Sequence, residues 1–344
     1  MPAPAFVAGA AVGVCGWTPA TRPGAAAAAA ARCPTPAPSR RRAASGGGSP
    51  LARPRTPSPP PLPRPPLAMS ADDAAPALPI PPPVGVILLA GGTGSRMRSA
   101  TPKQFLPLAG TPILRRSAGL FLTPATPGIT HLTVVLDAAA RPAYADLPAA
   151  AAAAGVSFAW AAPGDERQAS VVSGLASLPA GVALVAVHDA ARPCVTAAEV
   201  RAVVADAAVH GAAVLGVPVK ATVKEAAVGG DGDGNGDGGD LFVARTLDRG
   251  RLWEAATPQV VERGLLERGF AEVRQSGAAV TDDVSVVEAV GGRVKLTRGE
   301  YTNLKITTPE DMLVAEAILA ARAAEGGGER EDVLPSPSTP GAAA

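Results

Sequence analysis

An unbroken apolar run that leads straight into a glycine-rich turn sets the tightest limit on how this chain folds. Val84-Gly85-Val86-Ile87-Leu88-Leu89-Ala90 is short, apolar and preceded by the proline run Pro79 to Pro83. It reads as a strand buried on both faces. The turn that follows is Ala90-Gly91-Gly92-Thr93-Gly94-Ser95-Arg96-Met97. Small residues at the end of such a strand let backbone N–H groups curl around an anion at the mouth of a parallel sheet. Two well-known phosphate loops are excluded. Arg96 stands where a P-loop begun at Gly91 needs its second glycine, and Met97 where the dinucleotide fingerprint needs a third glycine. Arg96 and Lys103, the latter in Pro102-Lys103-Gln104, bring two cations to the turn. By residue type alone, each fits either a solvated surface position or a phosphate contact.

Further β-branched apolar runs follow at Leu132 to Leu136, Val182 to Val187 and Ala212 to Val217, with helical stretches between them. Thr111 to Leu122 is one, with Pro112 placed for a first turn; Glu166 to Leu178 is another. Thr196 with Glu199 forms a capping-box pattern ahead of Val200, Val203 and Val204. Strand and helix alternating through short connections predict a mostly parallel, twisted sheet covered on both faces, a three-layer α/β fold. Val214 to Glu225 and Leu241 to Leu247 then read as two strands of a hairpin that protrudes from it as an arm, about 214–250. Thr308-Pro309-Glu310-Asp311 starts a last helix that runs to about Ala324. The expected organisation is a leader and Pro-rich linker over 1–83, one folded domain over 84–324 and a polar tail over 325–344.

The leader carries eight arginines but no acidic residue or lysine before Asp72. That composition is shared by organelle transit peptides and generic disordered tails, and the basic reading favours a transit peptide. It also inflates the net charge of +1. Without it the remainder is acidic, which argues against a nonspecific polyanion binder. Cys15 and Cys33 fall in the leader, leaving Cys194 alone in the folded part, too few thiols for a disulfide or a zinc site. No apolar run reaches the length of a membrane span. The stretch Asp231-Gly232-Asp233-Gly234-Asn235-Gly236-Asp237 begins like a calcium loop, but Phe242 occupies the position that needs a glutamate, and it reads as a solvated hairpin tip within 229–240. Asp189 ends a buried strand at the sheet edge where ligands bind, open to a metal, ribose or substrate contact. Its neighbour His188 points to the opposite face, and His131 and His210 read as ordinary core or surface histidines.

Taken together, Leu88 to Met97 with Pro102-Lys103-Gln104 resembles the nucleotidyltransferases that activate sugar phosphates. Three further strings narrow the resemblance: Gly164-Asp165-Glu166-Arg167-Gln168 with Ser170, Val187-His188-Asp189-Ala190-Ala191-Arg192-Pro193, and Thr246-Leu247-Asp248-Arg249 leading to Leu252-Trp253 and Thr257-Pro258-Gln259. With Thr281-Asp282-Asp283 and Asn303-Leu304-Lys305-Ile306-Thr307, the chain is similar to the 2-C-methyl-D-erythritol 4-phosphate cytidylyltransferases of non-mevalonate isoprenoid synthesis.

The resemblance implies a Rossmann-like nucleotidyltransferase fold and transfer of CMP from CTP to methylerythritol 4-phosphate, with pyrophosphate released. It places Arg96 and Lys103 on the reacting phosphates, with Lys305 as the third catalytic cation. Ala90, Gly91, Gly92, Gly94, Gly164, Asp165 and Ser170 would hold the nucleotide. Asp189, Arg192, Thr222, Arg249, Thr257 and Thr281 would face the acceptor. It further implies Mg²⁺ held mainly by the CTP phosphates, no dedicated protein metal site, a homodimer joined through the arm, and a plastid location. Ala221 and Asp283 depart from the residues common in the family. Two rivals remain: a cytidylyltransferase for another polyol phosphate such as ribitol 5-phosphate, and a nucleotide-binding relative without chemistry.

Overall fold

The computed structural model describes residues 82–92, 97, 99, 101–126, 128–228, 240–325 and 334. The leader, the glycine–aspartate stretch 229–239 and most of the tail, on which several expectations fall, lie outside them. The elements in chain order are β1 Val84–Leu89, β2 Pro107–Leu108, β3 Thr111–Pro112, α1 Ile113–Leu120, β4 Ile129–Val135, α2 Leu147–Ala153, β5 Ser157–Ala161, α3 Arg167–Ala176 and β6 Leu184–Asp189. They continue with α4 Ala197–His210, β7 Ala212–Pro218, β8 Lys224–Val228, β9 Leu241–Thr246, β10 Trp253–Glu262, α5 Arg263–Ser276, α6 Ser285–Ala289, β11 Lys295–Arg298 and α7 Pro309–Ala324.

Seven strands form the main sheet in the order β11-β7-β10-β6-β1-β4-β5. The pairs β1–β4, β1–β6, β4–β5 and β7–β11 are parallel, whereas β10 runs antiparallel to both β6 and β7. Alternate residues of β1 serve opposite cores. Val84, Val86 and Leu88 join the side chains of α1, α2 and α4, while Ile87 joins those of α3, α5 and α6. This two-sided burial is why the strands read as continuous apolar runs. The three-layer α/β expectation holds.

Local signals account for the helix ends that frame the site. The Thr196 hydroxyl accepts from Glu199 N, and the Glu199 carboxylate accepts from Thr196 N, completing the predicted capping box of α4. Thr308 and Asp311 do the same for α7. Pro112 lies one position earlier than expected: it is the residue that caps α1, and with Thr111 it forms β3.

Two expectations need correction. The first arm strand begins at Lys224; Val214 to Pro218 belongs to β7, buried in the main sheet, whereas β8 and β9 pair only with each other. The apolar run there is core, which is why it could not also be arm. The second correction is β10, which sequence reading left unassigned as a strand. Pro258 interrupts it, and a proline inside a run argues against a central strand. The sheet tolerates it because the β10–β7 register breaks between Ala255 and Gln259.

Candidate active site

A cleft of about 400 Å³ opens at the carboxyl edge of the parallel strands, lined from the turn after β1, the loop before α3, the end of β6 and the segment before α7. On one side sit Ala90, Gly91 and Gly92. Ala90 N continues the sheet by donating to Val135 O at 3.0 Å. The Gln104 side chain clasps the same turn, Nε2 donating to Ala90 O at 2.7 Å and Gly92 O at 3.0 Å. A β-carbon on Gly91 would stand 2.4 Å from Pro163 Cβ, so only glycine lets these two loops meet.

The opposing loop uses the same device. A β-carbon on Gly164 would lie 2.4 Å from Ala169 Cβ. Ser170 Oγ accepts from Gly164 N at 3.0 Å and donates to Glu166 O at 3.1 Å, folding Gly164 and Asp165 over the first turn of α3. The hydroxyl proton of Ser170 is therefore spent on the loop, leaving a lone pair for anything in the cleft.

Asp189 is the electrostatic centre. Its Oδ2 lies 2.8 Å from Lys305 Nζ and 3.8 Å from Arg192 Nε, and its Oδ1 lies 3.5 Å from Arg167 Nε. Burial pushes the carboxyl up, but Arg167, Lys305 and Arg192 more than offset that and hold it down at about 2. Behind it, Asp189 N donates to Thr257 Oγ1 at 3.1 Å, and Thr257 Oγ1 lies 3.0 Å from His188 Nδ1. His188 Nε2 faces the Arg192 carbonyl at 3.3 Å, which can only accept, so the ring carries its proton on Nε2 and takes the Thr257 proton at Nδ1. Burial lowers the His188 pKa to about 4, keeping the ring neutral.

The structure brings Ala90, Gly91, Gly92, Lys103, Gly164, Asp165, Ser170, Asp189 and Lys305 to one cleft. Lys103 Nζ donates to Ile306 O at 2.7 Å, next to Lys305. Arg192 and Lys305 line an adjoining cleft of about 260 Å³. Thr257 is buried beneath Asp189. Thr222, Arg249 and Thr281 are exposed and line neither cleft, and Arg249 Nη1 donates to Lys220 O at the foot of the arm. Arg96 and Gly94 lie outside the described residues.

Sequence reasoning gave no role to Gln104, Arg167, Asp283 or Gln259. Arg167 donates to both oxygens of Asp283 at 2.7 Å, and burial of its charge is more than offset by the Asp283 and Asp189 carboxylates, which raise its pKa. Gln259 Oε1 accepts from Asp283 N and Val284 N. Arg167 stood inside a quoted string, but its partner lies far along the chain. Among the described residues no group of three or more His, Cys, Asp or Glu side chains is placed to hold a metal ion.

The family model described as IspD, 2-C-methyl-D-erythritol 4-phosphate cytidylyltransferase, matches residues 84–321. The chain belongs to this family. It is accordingly a nucleotidyltransferase, and its activity is cytidylyl transfer to 2-C-methyl-D-erythritol 4-phosphate. It is 46% identical over 237 residues to the chloroplastic enzyme of that name from Oryza sativa subsp. japonica, spanning 69% of this chain and 74% of the relative. The relative from Geobacillus kaustophilus is 41% identical over 239 residues, 70% of this chain and 98% of its own length. Among solved structures, the family member from Thermus thermophilus superposes with a TM-score of 0.54 at 30% identity, covering 69% of this chain and 99% of that one.

Proposed function

We propose that the two glycine-lined loops seat CTP and that Lys103, Asp189 and Lys305 organise the phosphates between nucleotide and acceptor. Ala90, Gly91 and Gly92 approach the nucleotide with bare backbone on one side; Gly164, Asp165 and Ser170 do so on the other. A cleft of small residues suits a pyrimidine better than a purine. A phosphate oxygen of methylerythritol 4-phosphate attacks the α-phosphorus of CTP. The new P–O bond forms as the bond to the bridging oxygen breaks, and pyrophosphate leaves. The attacking phosphate is already an anion, so no general base is needed, and the neutral, buried His188 supplies none.

Lys305 clamps the acceptor phosphate, with Asp189 holding its ammonium in place before substrate arrives. Lys103 and Arg96 offset charge on the nucleotide phosphates; losing one such contact costs about 3–4 kcal/mol in the transition state. Magnesium, or another divalent cation, would be carried in by CTP. Among the described residues the cleft offers the carboxylates of Asp165, Glu166 and Asp189. When bound, the cation neutralises charge on the departing pyrophosphate.

The same reading makes the protein a homodimer. Leu241, Phe242 and Val243 are 71%, 59% and 62% exposed on β9, Leu241 and Val243 on one face and Phe242 on the other, apolar surface that a second copy would cover. Thr222 and Arg249 stand at the root of that arm, outside this chain's own clefts, where they would complete the partner's site. The arginine-rich leader, with the chloroplastic rice relative, supports a plastid location.

The observation that carries the reading is the Asp189–Lys305 pair at the mouth of a cleft walled by two glycine-dependent loops. Pyrophosphate release with Mg²⁺, each NTP in turn and methylerythritol 4-phosphate or ribitol 5-phosphate tests it. Release with CTP and the methylerythritol acceptor alone is expected. Equal turnover of ribitol 5-phosphate would reassign the acceptor, and none with either would leave a binding protein.

A further inference from the structure

Among the described residues, two buried side-chain polar atoms have no hydrogen-bond partner: Arg192 Nε and Asn303 Oδ1. Folded proteins leave few such atoms, and each marks a place where water, an ion or a ligand belongs. Here the two occur on residues bonded to each other. Arg192 Nη1 donates to the Asn303 carbonyl at 2.8 Å, and both residues line the cleft of about 260 Å³ that adjoins the nucleotide cleft. Lys305 lines both clefts.

The orientation of the Asn303 amide is fixed by its surroundings. Nδ2 donates to Thr257 O at 3.0 Å, and reversing the amide would set two acceptors against each other. Oδ1 is therefore an acceptor awaiting a proton, and Arg192 Nε–H has no acceptor within hydrogen-bond reach, the Asp189 carboxylate that faces it standing 3.8 Å away. A phosphate or carboxylate would satisfy the donor and repel the acceptor. An ammonium would do the reverse. A hydroxyl serves both, accepting at its oxygen while donating its proton.

We infer that Asn303, with Arg192, recognises one hydroxyl of the polyol acceptor and is a specificity-determining residue of this enzyme. This rests on the acceptor assignment made above. Lys305 takes the acceptor's phosphate, and Asn303, two residues earlier in the chain, reads the carbon chain that carries it. Because Asn303 is only 4% exposed, an acceptor lacking that hydroxyl would leave a buried acceptor atom with neither ligand nor solvent. A trapped water could fill the same valences, but it would make no demand on the acceptor's structure.

The test is kcat/KM for methylerythritol 4-phosphate and for analogues each lacking one hydroxyl, with the wild-type enzyme and with Asn303→Ala. For the wild type, at least one analogue is expected to fall by about tenfold or more. In Asn303→Ala the parent acceptor falls by a similar factor and that analogue does not, so the preference collapses, while KM for CTP stays within about twofold. Wild-type enzyme that accepts every analogue within about threefold overturns the inference without any variant. So does an Asn303→Ala preference that is unchanged for all analogues, the result a structural or water-binding role would give. Failure of the wild type to use the parent acceptor removes the acceptor assignment itself, and this inference with it, before any analogue is tried.

Discussion

Lys305 Nζ and Asp189 Oδ2 meet at 2.8 Å, a lysine from the segment before α7 reaching the last residue of β6. The carboxylate faces two further cations, so removing its charge leaves Lys305, Arg167 and Arg192 repelling one another. Asp189→Asn should lower kcat/KM by at least about a hundredfold. It should also cost about 2 kcal/mol of stability at neutral pH. The folded pKa lies below the ordinary 3.8, so this contribution is present above that value and is lost as pH falls toward 2. Urea unfolding of wild type and variant should converge in that acid window. A constant gap down to the lowest pH would contradict it.

His188 predicts a second, separate pH effect. Its folded pKa of about 4 is below the ordinary 6.5, so the unfolded chain binds the extra proton between those values. Stability should be fully present above about pH 6.5 and fall by about 2 kcal/mol by pH 5, with His131, also lowered by burial, adding in the same direction. His188→Gln should flatten most of that slope in chemical denaturation. An unchanged slope would place the titration elsewhere.

The Arg167–Asp283 pair should behave as one unit. Asp283→Ala leaves the part-buried Arg167 guanidinium with the Asp189 carboxylate 3.5 Å away and should cost about 1–3 kcal/mol. Arg167→Met combined with Asp283→Leu should cost clearly less than the two single losses added together. Simple additivity in urea titrations would show that the two side chains do not stabilise through each other.

The exposed apolar side chains of β9 predict assembly. Leu241→Glu with Phe242→Glu should convert a dimer to a monomer in sedimentation velocity and reduce turnover with it. A wild-type monomer, or a double variant that remains dimeric, would remove the arm from assembly.

Much of the frame was legible because it rests on short-range rules. Continuous β-branched runs mark doubly covered strands, and the Thr196–Glu199 and Thr308–Asp311 patterns mark helix starts within four residues of chain. The strand β10 escaped because Pro258 obeys a local rule that the register break overrides. Gly91 and Gly164 could be assigned to the site, but the reason only glycine fits, contact with Pro163 and Ala169, is visible in three dimensions alone. Arg167–Asp283 and Asn303–Thr257 were out of reach for the same cause: partners distant in sequence carry no local periodicity. Arg249, Thr222 and Thr281 show the opposite limit, since the family resemblance named them and this chain's own clefts do not include them.

The strand that runs against its neighbours has a topological corollary. Because β10 is antiparallel, its first residue lies at the same edge of the sheet where β7 ends, and Val219 N donates to Leu252 O at 3.0 Å to close the base. The whole excursion from Val219 to Leu252 thus leaves and re-enters through a single gate beside the reaction. Its length is therefore independent of the register of the core strands. A change of length inside that excursion leaves the nucleotide loops untouched.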